Sequence, residues 1–174
     1  MKVKSEKTKK LTILAMMIAI DFVLSPLFRI EGMAPMSSVV NVIGAVIMGP
    51  LYVTIMASVC GILRMVLLGI PPLALTGAIF GALFAGIFYR IRRHRLAAIL
   101  GEVVGTGVIG SLLSYPVMVW FTGTRSNLFW FVYTPRFLGA TLIGGVIAYI
   151  IITRLKRITR FQQTIQLFWK GESE

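Results

Sequence analysis

The chain is poor in acid, histidine and cysteine, and each shortage closes off a class of chemistry. Its 174 residues hold a single histidine, His94, a single cysteine, Cys60, and six acidic side chains. One cysteine allows neither a disulfide framework nor a cysteine-rich metal site. One histidine, set in the basic run Arg90–Arg95, leaves no basis for a histidine-ligated zinc centre or Ser-His hydrolysis. No GxxxxGK[ST] string occurs, so ATP is not hydrolysed here by the P-loop route. The expectation is no catalytic residues, no cofactor and no metal; the chain is not an enzyme.

What is present is apolar bulk. Hydrophobic residues make up 57% of the chain and charged ones 14%, with a mean hydropathy of +0.86. A soluble domain carries about a quarter charged residues, so this composition points to a bilayer. The net charge of +12 is concentrated: fourteen of the 18 lysines and arginines fall in Lys2–Lys10, Arg90–Arg95 and Arg154–Lys170. Those clusters lie between apolar runs rather than along one face, which argues for lipid headgroups and against nucleic acid. Basic loops remain in the cytoplasm, so both termini and the Arg90–Arg95 turn are expected there. The chain is then a multi-pass protein of the cell (inner) membrane.

A spanning helix needs about 20 residues, and the whole chain, 1–174, reads as a single membrane domain of six. The expected spans are 11–28, 35–49, 51–68, 73–89, 96–121 and 130–153, followed by a basic amphipathic tail, 154–170, suited to lie on the inner leaflet. The first run has the positive flank of a signal peptide but no small-x-small cleavage site before Pro26, and reads as a retained helix. The second run stops at Gly49-Pro50 and is short for a straight crossing. Parity still requires it to cross, because a re-entrant loop would put Arg90–Arg95 outside. Pro116 is expected to kink the fifth span near its outer end.

Four ionisable residues fall inside spans: Asp21, Arg64, Glu102 and Arg136. A central Asp or Arg costs about 2.5–3.5 kcal/mol to insert, so each should turn inward and find a partner. They read either as structural ion pairs or as part of an outward-opening polar pocket. In the second reading Glu31, Arg64 and Arg136 meet Tyr115, Trp120 and Tyr133, with Asn41 and Thr76 as further candidates. Glu102 is expected towards the cytoplasmic side. A two-aspartate protease would need a companion for Asp21 within the spans, and there is none. Gly105-Thr-Gly-Val-Ile-Gly110 matches the dinucleotide string GxGxxG but follows no strand, so its glycines read as packing positions. Gly77, Gly81 and Ala85, and Gly101 with Gly105, repeat the small-xxx-small spacing of close helix contacts. Ala15 and Ala19 do the same in the first span, where internal packing and partner docking both remain open.

The segments Ser25-Pro-Leu-Phe-Arg-Ile-Glu-Gly-Met-Ala-Pro-Met36, Arg64-Met-Val-Leu-Leu-Gly-Ile-Pro-Pro72, Leu75-Thr-Gly77 and Gly101-Glu-Val-Val-Gly-Thr-Gly107 resemble the substrate-binding S-components of energy-coupling-factor (ECF) vitamin transporters, most closely the ThiW type. The resemblance implies an all-α, six-helix bundle with both termini inside. It implies a partner T-component and two ATPase subunits, with Ala15 and Ala19 as the docking surface. The implied cargo is the hydroxyethylthiazole precursor of thiamine, captured outside. Other cargoes in the same role are the pyrimidine precursor, thiamine itself or another small vitamin. A rival reading is a stand-alone proton-coupled carrier with Asp21 or Glu102 as relay.

Overall fold

The computed structural model of the chain describes residues 2–29, 34–123 and 130–169. Its elements are α1 (Lys2–Leu27), α2 (Pro35–Leu68), α3 (Leu73–Arg92), α4 (Arg95–Glu102), a π-helical segment (Val103–Gly110), α5 (Ser111–Thr122), α6 (Thr134–Leu155) and α7 (Thr159–Trp169), with no strand among the described residues. Side chains are distributed as a bilayer demands. Val66 is 75% exposed and Leu27 68%, while Asp21, Ser111 and Thr141 are fully buried. Large apolar side chains cover the outside, and the polar ones named turn inward among a mostly apolar core, because lipid cannot satisfy a polar atom.

Five described helical stretches are long and apolar enough to cross a membrane: Ser5–Leu27, Pro35–Leu68, Leu73–Arg92, Arg95–Phe121 and Thr134–Leu155. The expected second and third spans thus fall within one helical stretch, α2, but that stretch is not a straight rod. Gly49 adopts φ 75°, ψ −179°, a left-handed conformation that costs glycine little, and Pro50 follows it. A straight helix would hold Ser37 and Arg64 roughly 40 Å apart at 1.5 Å per residue. Instead Arg64 Nη1 donates to Ser37 Oγ at 3.3 Å, so the two arms, 35–48 and 50–68, fold back on each other. The first arm is buried almost throughout, with only Met36 and Ile43 partly exposed before Gly49.

The helix that starts at Arg95 packs on α3 through its glycines. A Cβ on Gly101 would run into the Phe84 carbonyl, one on Gly105 into the Phe80 carbonyl, and one on Gly110 would sit 2.8 Å from Gly77 Cα. Bulkier residues would force these backbones apart. Gly107 faces Leu138 of α6 instead. The GxGxxG glycines are therefore helix-packing positions, as their setting in a span suggests. Irregularity in this helix falls at Val103–Gly110, where the ladder widens and the Ser111 N–H reaches back to the Thr106 carbonyl. Pro116 lies beyond it, inside α5.

The tail helix α7 also packs on the bundle. In α7 Phe168 and Trp169 are buried against the bundle. Phe168 meets Tyr52 edge-on at 5.1 Å, and the Arg93 guanidinium lies 3.6 Å above the Trp169 ring. Its apolar side covers the protein's own Gly49–Pro50 bend. His94 caps α4, its Nδ1 accepting from the Leu96 N–H at 3.3 Å.

Candidate ligand cavity

The cavity sits where the last turn of α1, the start of α2 and the 69–72 turn converge, at the end of the bundle away from Arg90–Arg95. Its walls include Ser25, Arg29, Ser37, Ser38, Asn41 and Arg64 on one side, and Leu73, Ala74, Gly77, Glu102, Thr106 and Phe137 on the other, around about 80 Å³ of free space. One water needs about 10–15 Å³ on such a measure, so the space suits several waters or one small ring.

Two polar networks line it. In the first, Arg64 joins α2 to α1: Nη2 lies 2.7 Å from Asp21 Oδ2 and donates to Ser25 Oγ at 2.7 Å and to the Asp21 carbonyl at 3.2 Å. Ser25 Oγ donates in turn to Asp21 Oδ1 at 2.7 Å. Both charges are buried, and each requires the other, since an isolated ion there would face a desolvation cost of several kcal/mol. Only Arg64 Nε has no acceptor.

The second network is built on Glu102, at the junction of α4 and the π segment, and is 1% exposed. Oε1 accepts from Thr106 Oγ1 at 2.9 Å and from Asn41 Nδ2 at 3.4 Å. Asn41 Nδ2 also donates to the Ala78 carbonyl at 3.3 Å, and Thr106 Oγ1 lies 2.9 Å from the Gly77 carbonyl. Glu102 Oε2 and Asn41 Oδ1 have no hydrogen-bond donor, although the Ser38 side chain lies beside the carboxylate. Gly81 keeps this corner open: a Cβ there would collide with Thr106 Oγ1 and come within 2.7 Å of Glu102 Oε2.

Of the residues the sequence suggested for a pocket, Asn41 and Arg64 line this cavity. Glu31 lies outside the described residues. Thr76 bonds Ser114, Oγ to Oγ at 2.7 Å, and ties α3 to α5. Tyr115 packs on Trp130 with ring centroids 4.8 Å apart. Tyr133 is buried with Met118 beside Phe137, which does reach the cavity. Trp120 is 85% exposed, and Arg136 is exposed as well. The sequence reading did not include Ser25, Ser37, Ser38, Glu102 and Thr106 among the pocket residues. Glu102 was visible as an intramembrane acid, and Thr106 lies one turn on, but their depth depends on how α3 and the π segment pack.

An apolar exterior, buried charges and a mostly apolar cavity with a few polar groups at one end of the bundle fit a multi-pass membrane protein with room for a small molecule. The family model described as thiamine-precursor transporter protein (ThiW) matches residues 11–158. The chain belongs to that family, and thiamine-precursor transport is the function the family implies. No curated protein and no solved structure matches it.

Proposed function

We propose that the chain is the substrate-binding membrane subunit of an ECF-type importer, capturing the hydroxyethylthiazole precursor of thiamine from outside. Partner subunits, a T-component and two ATPases, would supply the power stroke. The observation that carries this reading is the cavity's position: its lining includes Ser25, Arg29, Ala34 and Ile70, at the end opposite the basic clusters that the positive-inside rule assigns to the cytoplasm. Treated as separate crossings, the two arms of α2 bring the spans to six, with both termini in the cytoplasm.

The docking reading for Ala15 and Ala19 is supported by their exposure on α1, beside exposed Met16, Ile20 and Val23. A small-residue stripe of this kind lets another helix approach closely. Asn41 and Arg64 are proposed to line the substrate site, with Glu31 at its outer edge. Thr76, Tyr115 and Tyr133 would shape its walls from behind, and Trp120 and Arg136 would act at the membrane surface if they contribute. Phe137 provides an aromatic wall for a heteroaromatic ring.

The test is calorimetric binding of hydroxyethylthiazole, the aminopyrimidine precursor and intact thiamine to purified protein. Preferred binding of the thiazole supports the proposed cargo; preferred binding of another keeps the role and changes the cargo, and binding of none defeats the reading. One observation favours a second reading, a proton-coupled carrier: Glu102 has no cationic partner among the described residues. Uptake that persists in cells lacking every coupling ATPase would select it.

A further inference from the structure

We infer that Glu102 and Asn41 form an acceptor pair for a hydrogen-bond donor on the ligand, and that Glu102 sets which small rings the cavity accepts. The inference rests on the proposed reading of this cavity as the substrate site. Its basis is an imbalance between acceptors and donors in a buried corner. Glu102 Oε1 is served by Thr106 Oγ1 and Asn41 Nδ2. Thr106 has one hydroxyl hydrogen, yet it faces both Glu102 Oε1 and the Gly77 carbonyl at 2.9 Å. Asn41 Nδ2 has two hydrogens and is shared between Glu102 Oε1 and the Ala78 carbonyl. With Glu102 ionised, Thr106 and Asn41 have no hydrogen left for Glu102 Oε2 or Asn41 Oδ1, both buried and without a donor; the Ser38 hydroxyl beside the carboxylate can serve only one of the two.

The rest of the cavity fixes the shape of the molecule that would supply one. Ile70, Leu73, Ala74, Phe137 and Ala140 are apolar, so they suit the body of a flat ring. A wholly apolar ring would displace water and leave at least one buried oxygen unsatisfied, which is what makes such a site discriminate. A ring bearing an O–H or N–H matches. In the thiazole precursor that donor is the side-chain hydroxyl, and in the pyrimidine precursor it is the exocyclic amine or the hydroxymethyl hydroxyl. The amine could serve both oxygens at once.

The experiment compares each ring with its donor-deleted analogue on purified protein, by calorimetry. The pairs are hydroxyethyl-methylthiazole against ethyl-methylthiazole, and the hydroxymethyl-aminopyrimidine against the same ring with methyl in place of both the amine and the hydroxymethyl group. For whichever parent binds, deletion of the donor should weaken binding about 10- to 100-fold. In Glu102→Gln the amide oxygen must stay towards Thr106 and Asn41, which turns the new NH2 towards the ligand where an acceptor stood. The parent should then bind weakly, and the deletion penalty should shrink to less than about threefold, with the thermal transition confirming a folded variant. Equal affinity of parent and analogue for the wild type overturns the inference and leaves the proposed function standing. An undiminished penalty in Glu102→Gln also overturns it. Failure of both parents to bind overturns the two together. Should Glu102→Gln not fold, the wild-type analogue series still decides.

Discussion

The Trp169 indole N–H donates to the Val46 carbonyl at 3.1 Å, across 123 positions of sequence. In an unbroken helix that carbonyl would receive the N–H of residue 50, which is a proline and has none to give. The last described residue of the tail therefore supplies the bond that the bend in α2 removes. Its ring also covers Gly49, where an added Cβ would lie 3.3 Å from the indole.

Trp169→Phe should keep the ring over Gly49 and lose the donor, destabilising the protein by about 1–3 kcal/mol for an orphaned buried carbonyl. Trp169→Ala should cost about 3–5 kcal/mol because packing is lost as well. Thermal unfolding in detergent should rank wild type above Phe and Phe above Ala. A phenylalanine variant as stable as wild type would mean that water replaces the indole.

The Asp21–Arg64 pair should behave as a unit. Arg64→Ala strands a buried carboxylate and is expected to destabilise by about 3–5 kcal/mol. Asp21→Asn combined with Arg64→Met should lose much less than the two single changes added together. A double-mutant cycle of unfolding free energies reads this coupling, and strict additivity would show that the pair is not energetically linked.

Gly105→Leu should prevent α3 and the π segment from closing, since its side chain enters the space of the Phe80 carbonyl. Overpacking of this kind costs about 1–3 kcal/mol or more. Val108→Leu is the control, because Val108 is 44% exposed and has room to grow. Monodisperse yield after purification should collapse for the first variant and hold for the second.

Ala15→Trp with Ala19→Trp should abolish cellular uptake while purified protein binds its ligand with unchanged affinity. The two side chains are exposed on α1 and do not line the cavity. Uptake at wild-type rate would remove these alanines from the docking surface.

Much of this architecture was legible in the residues. Apolar runs bounded by basic clusters give the helices, and glycines four apart give the seam between α3 and its neighbour. Asp21 and Arg64, too costly to leave in lipid, had to find partners. Which partners they find depends on inter-helix distances, and no single-helix pattern encodes those. Glu102 illustrates the limit. Counting along a regular helix places it towards the cytoplasm but says nothing of its neighbours; packing of α4 and the π segment on α3 puts its carboxylate on the cavity wall beside Asn41 and Gly81. The tail is open to two readings for a related reason. A basic amphipathic pattern fits a leaflet and a protein surface equally, and only the bend at Gly49 provides Trp169 with a recess.

The first arm of α2 is sheathed by its own neighbours along nearly its whole length. At 14 residues (35–48) it would extend only about 21 Å, short of a hydrocarbon core about 30 Å thick. Because acyl chains scarcely touch it, that shortfall imposes little mismatch strain on the surrounding lipid. Freedom from matching bilayer thickness is what lets a segment carrying Ser37, Ser38 and Asn41 bring amide and hydroxyl groups to a depth that a lipid-facing helix would have to keep greasy.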